Sequence, residues 1–401
     1  MSAAPFRPDS DYDPVPDRLS SILEYYKKLV PTPLTNLSPG SAPSRHFNNR
    51  YFSENIRRSV VAVSVFQGVQ RKIDCSGIII DDTGLVLTSA KLVRFPENAP
   101  RSDYLVIVRL FNGELLVAKE WHVDFWRNIA VLKVVPTLPL QAVKLRDSNS
   151  LRTGSEIFVL GRDFLTTLRQ GSGLLLNHPP CFGCDELLSS TCQTHVNCEG
   201  GLVICASDDI VGVNFIGGDG YSHILPANAI FITLPHKYWN HGIIHPWSGI
   251  TVIQTDQLSM DVLDFMNISS SDDKQLFVKE VYPGSLADKL QVRPGDSVIS
   301  INGRRIGSAK EYLEEVFLHT LIVRDVSGVL PRNLNLPSVK LMIQKRSDGE
   351  IVTVDGNMLM SDDIRFCTCW PFDKNVWDKE PLKGSQTDPL LESWHRRWSC
   401  N

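Results

Sequence analysis

The stretch Val196–Ile204 reads VNCEGGLVI. Its last five residues are a Gly-Gly pair entering an apolar β-run, and Glu199 stands immediately before the pair. Neighbouring residues of an extended chain point to opposite faces, so Cys198 faces away from wherever Glu199 points. Cys198 therefore reads as a small hydrophobe near the core.

Short β-rich runs lie on both sides of this stretch. Upstream they include SVVAVSVFQG, CSGIIIDDTGLVLTSA, YLVIVRLFNGELLVAKEWHV, NIAVLKVV and EIFVLG. Downstream they include GGLVICASDDIVGVNFIG and GYSHILPA. Asp81-Asp82-Thr83-Gly84, Asn112-Gly113 and Ser207-Asp208-Asp209 read as hairpin turns between them. Many short strands with few long helical patterns predict a closed all-β barrel or a pair of barrels. Residues 227–242 read as a short helix and a linker. A second, α+β unit follows from about Pro246. From about Asn357 the chain turns irregular, with Trp370, Trp377, Trp394 and Trp398 set in polar sequence. Such a segment is either disordered or docks by its aromatics.

The 401 residues suffice for two or three domains, and 42% hydrophobic with 21% charged residues is ordinary for a globular core. Lys plus Arg (41) against Asp plus Glu (45) leaves a net charge of −4, so no nucleic-acid partner is expected. No apolar run reaches the length of a membrane span. The N-terminal residues, to about 44, are rich in Pro, Ser and Asp, with one short helical pattern in DRLSSILEYYKKLV, and carry no signal-peptide pattern. Nine cysteines spread over a long chain do not form a disulfide framework, which favours a reducing intracellular compartment.

Three landmarks carry a resemblance. GIIIDDTGLVLTSAKLV, NIAVLKV and NCEGGLV, in that order, are similar to the segments that hold the catalytic His, Asp and Ser of the HtrA (Do-like) serine proteases. VLGRDF (159–164) and ILPAN (224–228) resemble two further landmarks of that family. The resemblance implies a mainly β fold, a trypsin-like double β-barrel followed by a PDZ domain. It divides the chain into a flexible N-terminal segment (1–44), a trypsin-like domain (45–240), a PDZ domain (241–355) and a Trp-containing tail (356–401).

It also implies that all three triad positions are substituted: Lys91 stands for the His, Asn128 for the Asp and Glu199 for the Ser. Lys is mostly a cation near neutral pH and a poor base. Asn carries no charge to stabilise an imidazolium, and an Asp-to-Asn change in an otherwise intact triad costs about 10⁴ in turnover. Glu has no alkoxide to offer, and its charge would sit beside the donors meant for an oxyanion. No peptide hydrolysis is expected by this route. Opposite charges at the His and Ser positions predict a Lys91–Glu199 ion pair, the alternative being that both groups point to solvent. A substitute thiol nucleophile, Cys198 with His195 or His122, is disfavoured because Cys198 faces away.

Cys181-x-x-Cys184 followed by His195-x-x-Cys198 has zinc-like spacing. Against it stand free, partly buried thiols, and no cofactor is expected. LFVKEVYPGSLADKLQVRPGDSVISINGRRI (276–306) is the most specific match and resembles PDZ domains. There the carboxylate-binding loop falls on Trp247, Ser248, Gly249 and Ile250, and Ile250 and Val252 line a groove that takes protein or peptide C-termini by strand addition. Ser248 makes that end less apolar than the family's Leu. The alternative is a PDZ fold used for internal packing. Aromatics at HFNNRYF (46–52) either join a homotrimer, as in the family, or pack on their own barrel. The implied function is a catalytically inactive scaffold or chaperone-like module, alone or with active relatives. The alternative is a serine endopeptidase of protein quality control.

Overall fold

In the computed structural model, residues 20, 22, 24, 52–95, 103–176, 184, 186–217, 222–233, 241–255, 275–307, 311–312, 315–316, 321–324, 339–360 and 370 are described. The chain divides into two compact units, one holding the barrel sheets and one centred on 233–369.

The barrel unit has two antiparallel sheets. The first contains β1 (Val60–Gln67), β2 (Gln70–Asp81), β3 (Leu85–Ser89), β4 (Tyr104–Arg109), β5 (Leu115–Val117), β6 (Glu120–Asp124) and β7 (Ile129–Lys133), in the order β5-β4-β1-β2-β3-β7-β6. The second contains β8 (Glu156–Arg162), β9 (Leu168–Leu174), β10 (Leu188–Ser190), β11 (Leu202–Cys205), β12 (Ile210–Ile216) and β13 (Ser222–Pro226), in the order β10-β13-β12-β11-β8-β9. The expected turns are present. Gly84 (φ 108°), Gly113 (φ 89°) and Asp208 (φ 67°) adopt the left-handed conformation that tight reversals need.

β1 is buried over almost its whole length, in keeping with its unbroken apolar run. Arg162 fixes β8 against the first sheet. Its buried guanidinium donates to the carbonyls of Val60 (2.6 Å), Arg57 (2.6 Å) and Thr166 (2.7 Å). Ile157, Val159, Cys192, Cys198, Val203 and Ile224 form the core of the second sheet. Phe52 packs edge-on against Phe158 of the same barrel (5.7 Å), while Phe47 and Tyr51 lie outside the described residues.

The segment expected to be flexible over 1–44 contains helical Ser20, Ile22 and Glu24. Ile22 is 0% exposed, in one cluster with Ala62, Phe66, Leu105, Ile107 and Phe164. Full burial of such a side chain stabilises by about 1.5–3 kcal/mol, enough to dock a short helix whose own propensity is marginal.

The second unit is one sheet. It contains β14 (His241–Trp247), β15 (Ile250–Gln254), β16 (Leu276–Val281), β17 (Ser297–Ile301), β18 (Arg304–Arg305), β19 (Leu321–Arg324), β20 (Val339–Gln344) and β21 (Ile351–Met360). The order is β15-β16-β17-β20-β21-β14-β19, with β18 on β17. Ser285 caps the helix Leu286–Lys289, its hydroxyl accepting from Asp288 N (3.1 Å). β21 runs to Met360, five residues past the expected domain end at 355, because its last four residues pair with β14. No helix among the described residues is long and apolar enough to cross a membrane.

Candidate functional site

The site is built around the turn Val196–Gly201. Residues Val196–Cys198 form one turn of 3₁₀ helix capped by His195, whose Nδ1 accepts from Asn197 N at 3.2 Å. The chain then bends at Gly200 (φ 73°). A Cβ at Gly200 would lie 2.6 Å from Ser76 O and 2.8 Å from Ser89 N, and one at Gly201 would lie 2.3 Å from Leu160 O. The Gly-Gly pair is thus required sterically, by a left-handed φ at the first position and close backbone packing at both.

Other elements hold the turn. Ser76 N donates to Glu199 O (2.7 Å), and the Ser76 hydroxyl donates to Asn197 O while accepting from Arg162 N (2.8 Å). Asn214 Nδ2 donates to Cys198 O (3.0 Å), and Ser222 Oγ donates to Asn214 Oδ1. From Asn197 to Gly201 the backbone donors are all used within the fold. Asn197 N goes to His195 Nδ1, Cys198 N to His195 O (2.8 Å), Glu199 N to Val196 O (3.3 Å), Gly200 N to Asn214 O (2.8 Å) and Gly201 N to Cys198 O (3.0 Å). In this conformation residues 197–201 present no spare N–H to a developing oxyanion.

Glu199 is 5% exposed. Its Oε1 accepts from Ser89 Oγ at 3.0 Å and its Oε2 from Ile216 N at 2.8 Å. Ser89 ends β3, and its hydroxyl also accepts from Lys91 N (3.3 Å), capping the 3₁₀ turn Ala90–Val93. Ala90 N in turn donates to Asn128 O at 2.9 Å. The segments bearing Lys91, Asn128 and Glu199 therefore meet, although the chain separates them widely. The Glu199 carboxylate is thus held by hydrogen bonds from Ser89 and Ile216. The Cys75 thiol is pushed well up, first by burial, then by Glu199, with Lys91 opposing.

Asn128 follows a tight reversal between β6 and β7. Buried Asp124 and Arg127 pair across it (3.2 Å). Asn128 takes φ 54°, a conformation Asn tolerates better than most residues. Its Oδ1 is buried and makes no hydrogen bond. Ser89, Ile216 and Ser76 did not emerge from the sequence. The LVLTSAK motif contains Ser89 directly, but nothing local marks it as a carboxylate donor.

The cysteine cluster is split. Cys181 lies outside the described residues. Cys184 is buried, with its thiol 3.9 Å from Glu186 Oε2. Cys198 points into the β-sheet core as expected, and burial pushes its thiol and that of Cys192 up to about 12. Exposed His195 is used as the cap described above. No group of three or more metal-ligating side chains occurs among the described residues.

In the second unit, Gly249 takes φ 77°, and a Cβ there would meet Ser285 Cβ at 2.2 Å. Tyr282 N donates to Gly249 O (2.9 Å), and half-buried Trp247 packs at 6.2 Å from the Tyr282 ring. Ser248 is half-buried. Ile250 and Val252, 6% and 4% exposed, join the unit's core with Ala287, Val292 and Leu341. Among the described residues their strand, β15, pairs on one side only, with β16.

Residues 75–213 match the family described as Trypsin-like peptidase domain, and residues 277–316 match the PDZ domain. A Do-like protease relative from Arabidopsis thaliana is 26% identical over 264 residues, covering 62% of each chain. Human Serine protease HTRA3 is 26% identical over 270 residues, 63% of this chain and 58% of that protein. Serine protease Do-like HtrB of Bacillus subtilis is 26% identical over 239 residues, 55% and 52% of the two chains. The first relatives are thus matched over about three fifths of their own length. The solved structure of "HtrA-type protease AlgW with decapeptide" superposes with a TM-score of 0.47 at 17% identity, over 76% of this chain and 96% of that one. The chain thus carries a match to a trypsin-like peptidase domain followed by a match to a PDZ domain, and the relatives it is similar to are Do-like and HtrA proteases.

Proposed function

We propose that this chain is a member of the family that grips polypeptide without cleaving it, a pseudoprotease barrel joined to a peptide-binding PDZ domain. The observation that carries the reading is the buried Glu199 carboxylate, held by Ser89 and Ile216 in a turn whose N–H groups from Asn197 to Gly201 are all engaged. Acyl transfer needs a nucleophile that gives up a proton, a base that takes it and free donors for the oxyanion. Glu199 supplies no such proton. Lys91 is a poor base unless strongly desolvated. The turn donors are already bonded within the fold. The expected outcome with unfolded casein is no cleavage above background. Cleavage by the wild-type chain that disappears in Glu199→Ala would overturn the reading.

The binding half of the reading is supported by the one-sided pairing of β15 and by the left-handed turn at Gly249 that leads into it. An extended C-terminus added to that edge would continue the sheet, its carboxylate approaching the 247–250 loop. The occupant expected is a protein C-terminus with an apolar last residue. Full-length protein should select such ends from a C-terminal peptide library, and Gly249→Ala should abolish selection because the new Cβ meets Ser285. Equal binding by the variant would exclude this loop. Whether copies of the chain form trimers, or join active relatives, is read from the mass in solution.

A further inference from the structure

Trp370 follows the PDZ unit in sequence but belongs to the barrel unit, where it is 4% exposed. Three of its contacts with described residues bear on the site. Its indole Nε1 donates to Trp126 O at 3.1 Å. Its own carbonyl accepts from Arg94 Nη1 at 3.1 Å. Its ring packs edge-on against Phe215, centroids 5.1 Å apart at 64°. The three partners come from the three segments that build the candidate site. Arg94 directly follows the turn Ala90–Val93 that carries Lys91. Trp126 lies two residues before Asn128, on the reversal braced by Asp124 and Arg127. Phe215 directly precedes Ile216, the backbone donor to Glu199.

We propose that the barrel carries an indole-accepting peptide subsite beside Glu199, and that Trp370 of the same chain fills it as a built-in ligand. The contacts are those by which one peptide segment is recognised by another. The ring is read by an aromatic edge, the indole N–H by a backbone carbonyl and the main-chain carbonyl by a guanidinium. Both polar groups that the buried Trp370 brings, the indole N–H and the carbonyl, are met by groups of the site segments. The ligand class is therefore a peptide segment bearing Trp, and an incoming one must displace Trp370. Competition with a tethered occupant lowers apparent affinity in proportion to the open fraction. This inference stands independently of the PDZ reading.

The test uses the full chain and a fluorescently labelled peptide with the sequence of residues 366–374, FCTCWPFDK, under reducing conditions. Its counterpart with Trp replaced by Ala is the control. By fluorescence anisotropy, Trp370→Ala should bind the Trp peptide at least about tenfold more tightly than wild type, and should not bind the Ala peptide. Trp370→Phe keeps a ring but loses the indole N–H bond, and should fall between the two. A Trp370→Ala chain that melts cooperatively yet binds neither peptide, or binds both equally, overturns the proposal. If that variant does not fold, Trp370→Phe decides: tighter binding than wild type supports the subsite, and unchanged binding overturns it.

Discussion

Replacing Glu199 by Ala tests the site most directly. The substitution removes a carboxylate that accepts from Ser89 Oγ (3.0 Å) and Ile216 N (2.8 Å) in a position 5% exposed. The Ser89 hydroxyl can rotate, but the Ile216 N–H is fixed by β12 and would face a hole. An orphaned buried donor costs about 1–3 kcal/mol, and bonds to a charged acceptor lie toward the upper end. Relief from carrying a desolvated carboxylate offsets part of this. The expected net loss is about 2 kcal/mol. Glu199→Gln retains one acceptor oxygen but sets an amide N–H against a donor, and should lose about 1 kcal/mol. With two units in the chain, a single global unfolding curve is inadequate, so stability is best read by amide exchange in the barrel unit. A double-mutant cycle with Ser89→Ala should show a coupling of about 1–2 kcal/mol, since both single changes break the same bond. A Glu199→Ala effect below about 0.5 kcal/mol, or strict additivity, would refute the described hydrogen bonds.

Three further outcomes are expected. Cys192 and Cys198 are raised from 9.0 to about 12, and Cys75 lies well above its ordinary value, chiefly by burial. Stability from these neutral thiols is complete below pH 9 and is lost as pH rises through 9 toward 12, by about 1.4 kcal/mol per pH unit for each thiol. Urea midpoints of the barrel at pH 7, 9 and 10 should fall, and Cys198→Ala should flatten the trend. Gly200→Ala should cost at least about 2 kcal/mol from its left-handed φ and the 2.6 Å approach to Ser76 O, and a melting temperature within a degree of wild type would contradict this. Arg162→Met leaves the carbonyls of Val60, Arg57 and Thr166 without their donor, so barrel stability measured by exchange should fall by about 2–4 kcal/mol.

Much of the architecture was legible because it is periodic and local. Alternating and apolar runs identified the strands. DDTG, NG and SDD marked reversals whose φ values the structure bears out at Gly84, Gly113 and Asp208. The order of motifs identified the peptidase-like and PDZ regions. Cys198 does point into the core, but from a 3₁₀ turn rather than from the extended chain that the alternation argument assumed.

The sequence by itself determined that a carboxylate stands before the Gly-Gly pair, that a lysine follows LVLTSA and that a PDZ-like unit comes next. Tertiary structure decided what the carboxylate meets. Ser89 lies 110 residues away in the chain, yet its hydroxyl reaches Glu199. Charge complementarity names candidate partners, but hydrogen bonds form within about 3 Å, and the packing of β3 against the 196–201 turn sets those distances. Trp370 and Ile22 were likewise ambiguous in polar, irregular sequence. Only the folded barrel offers Trp370 the Trp126 carbonyl, Arg94 and Phe215, and Ile22 a cluster around Phe66, because such surfaces exist only once distant strands are assembled.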